Sequence, residues 1–151
     1  MFNPSHDDLV NLLLAEEQGL FDGSDGWQIF TIEMPDEPDN AIVLREYGGL
    51  EDERVQNGNW PPIQQPTVQC LVRGTDYTEA YKRIQMVIDC LDDHDEFDSS
   101  VFGCNSDPMR YIKIEKLGNV IPIVQDDRNR YRLSVDFQIM RQSRITRKNK
   151  K

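Results

Sequence analysis

The chain has 151 residues, 27 acidic and 17 basic, and a formal charge of −10. One domain is expected at this length, and a chain of this size buries roughly 70% of its unfolded surface, enough for a true core. No run approaches the ~18 apolar residues of a membrane span. The N-terminus MFNPSHDDLV lacks the basic region of a secretory signal, which points to a cytosol-like compartment. Cys70, Cys90 and Cys104 form no C-x-x-C pair, which argues against a disulfide framework; Cys70 and Cys90 read as small buried hydrophobes.

The charge is segregated. Residues 141–151 hold Arg141, Arg144, Arg147, Lys148, Lys150 and Lys151 and no acid, so the remaining 140 residues carry 11 basic and 27 acidic side chains, a balance of −16. Such an acidic body disfavours general nucleic-acid binding. The basic end reads either as a solvated, flexible tail or as a contact for an acidic surface.

In chain order, Pro4 and Ser5 open a helix, with Ser5 as N-cap and Asp8 at the third position. Leu9, Val10, Leu12, Leu13 and Leu14 form its apolar face, and Gly19 is its expected C′ residue. After a turn at 22–26, the alternation of residues 27–34 predicts a strand, with Trp27, Ile29 and Thr31 opposite Gln28, Phe30 and Ile32. Pro35 and Pro38 break it, and residues 41–47 predict a second strand. Residues 48–65 read as a long loop, of the kind that is functional or disordered. Trp60 on this loop is either an interaction anchor or an indole tucked into the core.

Residues 66–91 carry the clearest pattern. Val68, Cys70 and Val72 alternate with Gln69, Leu71 and Arg73 in a strand that stops at Gly74. Asp76 and Glu79 have the spacing of a capping box, and Ala80, Ile84, Val87, Ile88 and Leu91 form one helical stripe. The run DDHDEFD (92–98) lacks the oxygen order and glycine of a calcium loop and reads as a solvated acidic helix end. Its charge is unfavourable beside a helix C-terminus, which hints at a partner or a basic neighbour.

The last third predicts a β-meander: residues 110–118, residues 120–127 with Pro122 restricting them to an edge or bulge, a turn at 126–129, and residues 131–140. In the last strand Tyr131, Leu133, Val135, Phe137 and Ile139 face inward. Arg132, Ser134, Asp136 and Gln138 face out, the antiparallel signature. The fold class is therefore α+β: an antiparallel or mixed sheet of about four to six strands with two main helices on one face. Residues 1–141 form a single domain, and 142–151 are a basic tail.

Signatures of catalysis are missing. His6 and His94 are the only histidines, which supports a His-dependent acid–base pair poorly. No phosphate loop, dinucleotide loop or nucleophile elbow occurs. Neither an enzyme nor a metal or other cofactor is expected.

The N-terminal helix ending near Gly19, the unit PTVQCLVRGTDYTEAYKRIQMVIDCL and the closing NVIPIVQDDRNRYRLSVDFQIM resemble the tail-terminator and minor capsid proteins of long-tailed bacteriophages. The resemblance covers most of residues 5–141. It implies a structural virion protein of the tail–neck region, assembled in the host cytoplasm. Such a protein forms a hexameric ring, ends the tail tube, and joins the tube protein to the head–tail connector. An acidic lumen would let DNA slide through without specific binding. Another neck or head-completion protein is the alternative, and a small acidic adaptor or inhibitor a further one. Loop 48–65 and residues 141–151 lie outside the resemblance. The candidate partner or subunit contacts there are Arg54 and Trp60 on the loop and Arg141, Arg144, Arg147 and Lys148 at the basic end.

Overall fold

The computed structural model describes residues 4–17, 21–24, 26–53, 63–102 and 108–143. The elements are α1 (Ser5–Glu16), β1 (Gln28–Thr31), β2 (Ala41–Glu53), β3 (Ile63–Gly74), α2 (Tyr77–Leu91), β4 (Phe97–Asp98), β5 (Met109–Ile123) and β6 (Tyr131–Ser143), with a 3₁₀ turn at Ser99–Phe102. They build a six-stranded sheet of order β1-β2-β3-β6-β5-β4. The four long strands run antiparallel, and β1 joins β2 in parallel. The sheet is thus mixed and the fold α+β, as the sequence predicts.

The centre of the sheet is the pairing of β3 with β6, in which Val68, Cys70 and Val72 lie opposite Phe137, Val135 and Leu133. All six are buried, and they share one core with Ala80, Ile84, Val87, Ile88 and Leu91 of α2 and Leu9, Leu12 and Leu13 of α1. Alternation on the strands and the 3.6-residue stripe on the helices therefore meet on one face. Phe21 and Trp27 close the core beneath the Arg83 guanidinium, which lies 5.6 Å and 5.0 Å from their ring centres.

Several local expectations shift. The N-cap of α1 is Pro4, which has no side-chain cap bond. Ser5 instead donates its amide and hydroxyl to the Glu46 carboxylate on β2, at 2.8 Å and 2.6 Å. A strand carboxylate thus satisfies the helix start, where negative charge is favoured. Burial works against the charged form of Glu46, but the two Ser5 bonds, with Arg141 and His6, win and hold its pKa below the ordinary carboxylate value. Asp76 does cap α2, accepting from the Thr78 amide at 3.2 Å, while Glu79 lies 3.8 Å from Lys82. Gly19 lies outside the described residues.

In the expected loop 48–65, the described residues 48–53 and 63–65 are strand, and 54–62 lie outside the described residues. β2 runs on to Glu53 and β3 begins at Ile63, because Gly48 and Gly49 adopt positive φ and form a bulge that lets pairing resume. At Gly49 a Cβ would stand 2.4 Å from the Gln65 carbonyl oxygen, so only glycine fits. Likewise, residues 109–123 form one strand rather than two. An irregularity between Leu117 and Ile121 includes Gly118 at φ 69° and bends β5 without ending it. Pro122 sits on the outermost long strand, as expected, and Tyr131 is only half-buried. β6 continues past the predicted tail boundary, with Gln142 paired to Ile63 and Arg110.

A buried polar network crosses the core at the α1 end. Tyr111 donates its hydroxyl to Asp8 and accepts from Arg141 Nη1 at 3.1 Å, and Arg141 Nε donates to Gln64 Oε1 at 2.9 Å. Phe97 stacks flat on Tyr111 at 4.6 Å between ring centres. Asp8 and Arg141 are both buried, so loss of either leaves an uncompensated charge. Arg141→Ala is predicted to destabilise the fold by about 3–5 kcal/mol, and the apolar pair Asp8→Leu/Arg141→Met to recover most of that loss. Urea unfolding of the three variants measures both. A single-variant loss below about 1 kcal/mol, the level of a surface pair, would show that the network is not shielded from water.

Candidate assembly surfaces

Where β3 ends, four arginines tie two loops to the polar face of the sheet. Arg73 donates to the carbonyls of Pro38 at 2.6 Å, Asp39 at 3.1 Å and Asp36 at 3.4 Å. Arg130 bridges the loops: its Nε donates to Asp126 at 2.8 Å, and its Nη1 to the Asp36 carbonyl at 2.7 Å and to Asp39 Oδ1 at 3.2 Å. Arg132 Nε donates to the Val124 carbonyl at 3.0 Å, and Arg128 lies 3.5 Å from Glu37. Asp126 accepts from the amides of Arg128 and Arg130. Led by the Arg130 amide, these bonds hold its carboxyl below the usual range.

These groups line a cleft of about 660 Å³, with Met34 and Leu71 as its apolar wall. Its arginines are committed to carbonyls and carboxylates, so the cleft works as a latch that fixes the β1–β2 and β5–β6 loops. Planar guanidinium forks suit this multi-point capture of backbone oxygens. The sequence placed a turn at 126–129 but not the latch. Its traces are two oppositely charged segments, PDEPDN and RNRYR, whose proximity only the sheet order creates.

The acidic run 92–98 is also stitched into the sheet. The Asp93 amide donates to the Ile114 carbonyl at 2.9 Å, and Asp92 Oδ1 accepts from the Lys116 amide at 2.8 Å. His94 Nε2 lies 2.7 Å from Glu16 Oε1 and its Nδ1 2.7 Å from the Asp95 carbonyl. Both ring nitrogens face acceptors, an arrangement satisfied by the imidazolium. Cys90 Sγ lies 3.4 Å from the other Glu16 oxygen, and burial, then Glu16, pushes its thiol up to about 12. Among the described residues, no group of three or more His, Cys, Asp or Glu side chains could hold a metal.

The edges of the sheet are unequally protected. On the β2 side, β1 covers residues 41–44, and His6 Nδ1 accepts from the Glu46 amide at 3.0 Å. On the β5 side, β4 covers Arg110 and Tyr111, and Asp92 and Asp93 cover 114–116. Below that point, Leu117 and Ile121 are 42% and 58% exposed, and Val124 just beyond is 82% exposed.

Of the expected contact residues, Arg54, Trp60, Arg144, Arg147 and Lys148 lie outside the described residues. Arg141 is described and buried, its guanidinium engaged with Gln64 and Tyr111; this placement gives it a role inside the fold.

Two predictions follow from the latch and the His94 tether. Hydrogen bonds to charged groups contribute about 1.5–3 kcal/mol each, so Arg130→Ala is expected to cost about 2–3 kcal/mol. It should speed amide exchange in both 32–40 and 124–130. Faster exchange in only one loop would show that Arg130 does not couple them. For His94, burial lowers the pKa but the Glu16 and Asp95 bonds outweigh it, leaving it above the ordinary 6.5. A raised folded pKa stabilises fully below about pH 6.5, and that contribution is lost as pH climbs through the raised value. The stability gap between wild type and His94→Gln should therefore shrink from about pH 5.5 to about pH 8.5; a constant gap would refute the charged tether.

Residues 13–142 match the family model described as Bacteriophage tail terminator protein. No curated protein is significantly similar in sequence. The match spans all of α2, the last turn of α1 and every strand in whole or nearly so, including the latch and both sheet edges. The chain belongs to the bacteriophage tail terminator family and is a structural component of the phage tail.

Proposed function

We propose that the protein forms a ring, of about six copies, that ends the tail tube and presents a surface to the head–tail connector. The observation that supports it most is the family match across residues 13–142. The architecture is compatible with this role. A single α+β layer pair with its helices on one face leaves the other face and parts of both edges available for neighbours. The acidic balance of the body suits a lumen through which DNA passes without adhering. The partners in this reading are other copies of the chain, the tube protein and the connector.

The latch supports a positioning role. A ring that caps a tube must hold its loops in fixed places against two neighbours, and Arg73 and Arg130 fix two loops at one end of the sheet. Light scattering across a concentration series, with negative-stain images of the same sample, tests the ring. The expected outcome is a particle of about six chain masses, or a monomer that becomes a ring on purified tail tubes. A monomer that neither assembles nor binds tube ends would refute the proposal.

A further inference from the structure

The lower half of β5 differs from the rest of the surface. Residues 117–125 read LGNVIPIVQ and hold no charged side chain, in a chain that is 29% charged. No described strand pairs with their outer side. Leu117, Ile121 and Ile123 pair with Asp136, Ser134 and Arg132, which places all three on the polar face of the sheet. Pro122 and the bulge at Gly118 limit pairing along part of this edge, but its protruding aliphatic side chains leave room for a strand partner, and soluble proteins normally also blunt such edges with charge. This protein does so elsewhere: Asp92, Asp93 and β4 cover the upper part of the same strand.

The opposite margin has its own open stretch. β1 ends opposite Leu44, and the backbone of β2 continues as strand to Glu53. Beyond the Glu46 amide, no described strand lies outside it. Its first residues, Tyr47, Gly48 and Gly49, are uncharged and exposed.

The directions of these two margins decide what can join them. β2, β3, β6 and β5 alternate in direction, so β2 and β5 run oppositely. If copies are placed side by side in the same orientation, β5 of one meets β2 of the next antiparallel, the favourable pairing. The contact is heterologous, each copy using a different surface on each side, and such contacts close into a ring where the rotation between copies closes. The two open stretches lie at diagonally opposed corners of the sheet, so the strands of a closed ring would be inclined to its axis, as in barrels. A β5-to-β5 contact would use one margin twice and stop at a dimer.

We infer that Leu117–Ile123 of β5 is the seam between subunits, pairing antiparallel with the β2 margin beyond Glu46 of the next copy. This rests on the ring reading above and adds to it the surface that closes the ring.

The test places a photo-crosslinking benzophenone side chain at position 121 of the full chain and maps the products by mass spectrometry. The expected product joins position 121 to residues 45–53 of another copy, in ladders beyond the dimer. Products joining 121 to 117–124 of another copy, or to the tube protein alone, would overturn the seam. So would a normal ring with no product at all; each of these leaves the ring reading standing. Failure of the wild type to form any ring, free or on tubes, would overturn both. As a second readout, Ile121→Asp should reduce the assembled particle to monomers with unchanged circular dichroism. Val101→Asp, at a site 70% exposed on another part of the surface, should leave the assembly intact. An intact ring in Ile121→Asp would also overturn the seam.

Discussion

The pairing of β3 with β6 fixes the side of the sheet on which every other element packs. Val68, Cys70 and Val72 face the helices only in the observed register. A slip of β3 by one residue would turn Gln69, Leu71 and Arg73 toward the core beside Val135 and Phe137 and carry Val68, Cys70 and Val72 out of it. β2 and β5 then add to either side of this pair, and α2 lays its stripe across it. Because α2 follows β3 after only two residues, Thr75 and Asp76, its placement is tied to the same register. Gly74 makes that approach possible: a Cβ there would come within 2.9 Å of the Trp27 ring and 3.4 Å of Ala80.

Around this apolar centre, three polar devices fasten what the hydrophobic effect leaves unspecified. The Asp8–Tyr111–Arg141 network and the Glu46 cap set α1 against the sheet. The Glu16–His94 contact ties the end of α1 to the turn after α2. The arginine latch holds two loops on the polar face. Apolar burial is non-directional, whereas a guanidinium fork or a carboxylate accepting two donors demands defined positions. Position is what a structural subunit requires, since its neighbours read loop and edge geometry rather than chemistry at a single atom.

The same economy appears in the two glycine-bearing bulges. Gly48–Gly49 and Gly118 each interrupt a long strand without ending it. Bulges sharpen twist and redirect a strand. Here they lie on the two outermost long strands, β2 and β5, at the points where cover by flanking segments gives way to open margin. Edge protection and edge exposure are thus divided along single strands.

The sequence by itself determined the fold class, the core rows of β3, β6 and α2, the Asp76 cap and the turn at 126–129. Each is written in local periodicity or in one side chain reaching its own neighbours. It also carried the family resemblance, because the strand–helix unit and the closing strand are contiguous segments. Tertiary structure alone decided the rest. Ser5 looked like a cap but serves as donor to Glu46, 41 residues away. Both described ends of the expected loop 48–65 are strand because pairing resumes across a glycine bulge. Arg141 looked like part of a solvated tail, yet its β-strand neighbours place it beside Tyr111 and Asp8. In each case the deciding energy comes from a partner distant in sequence, and local pattern holds no record of which strand will lie alongside.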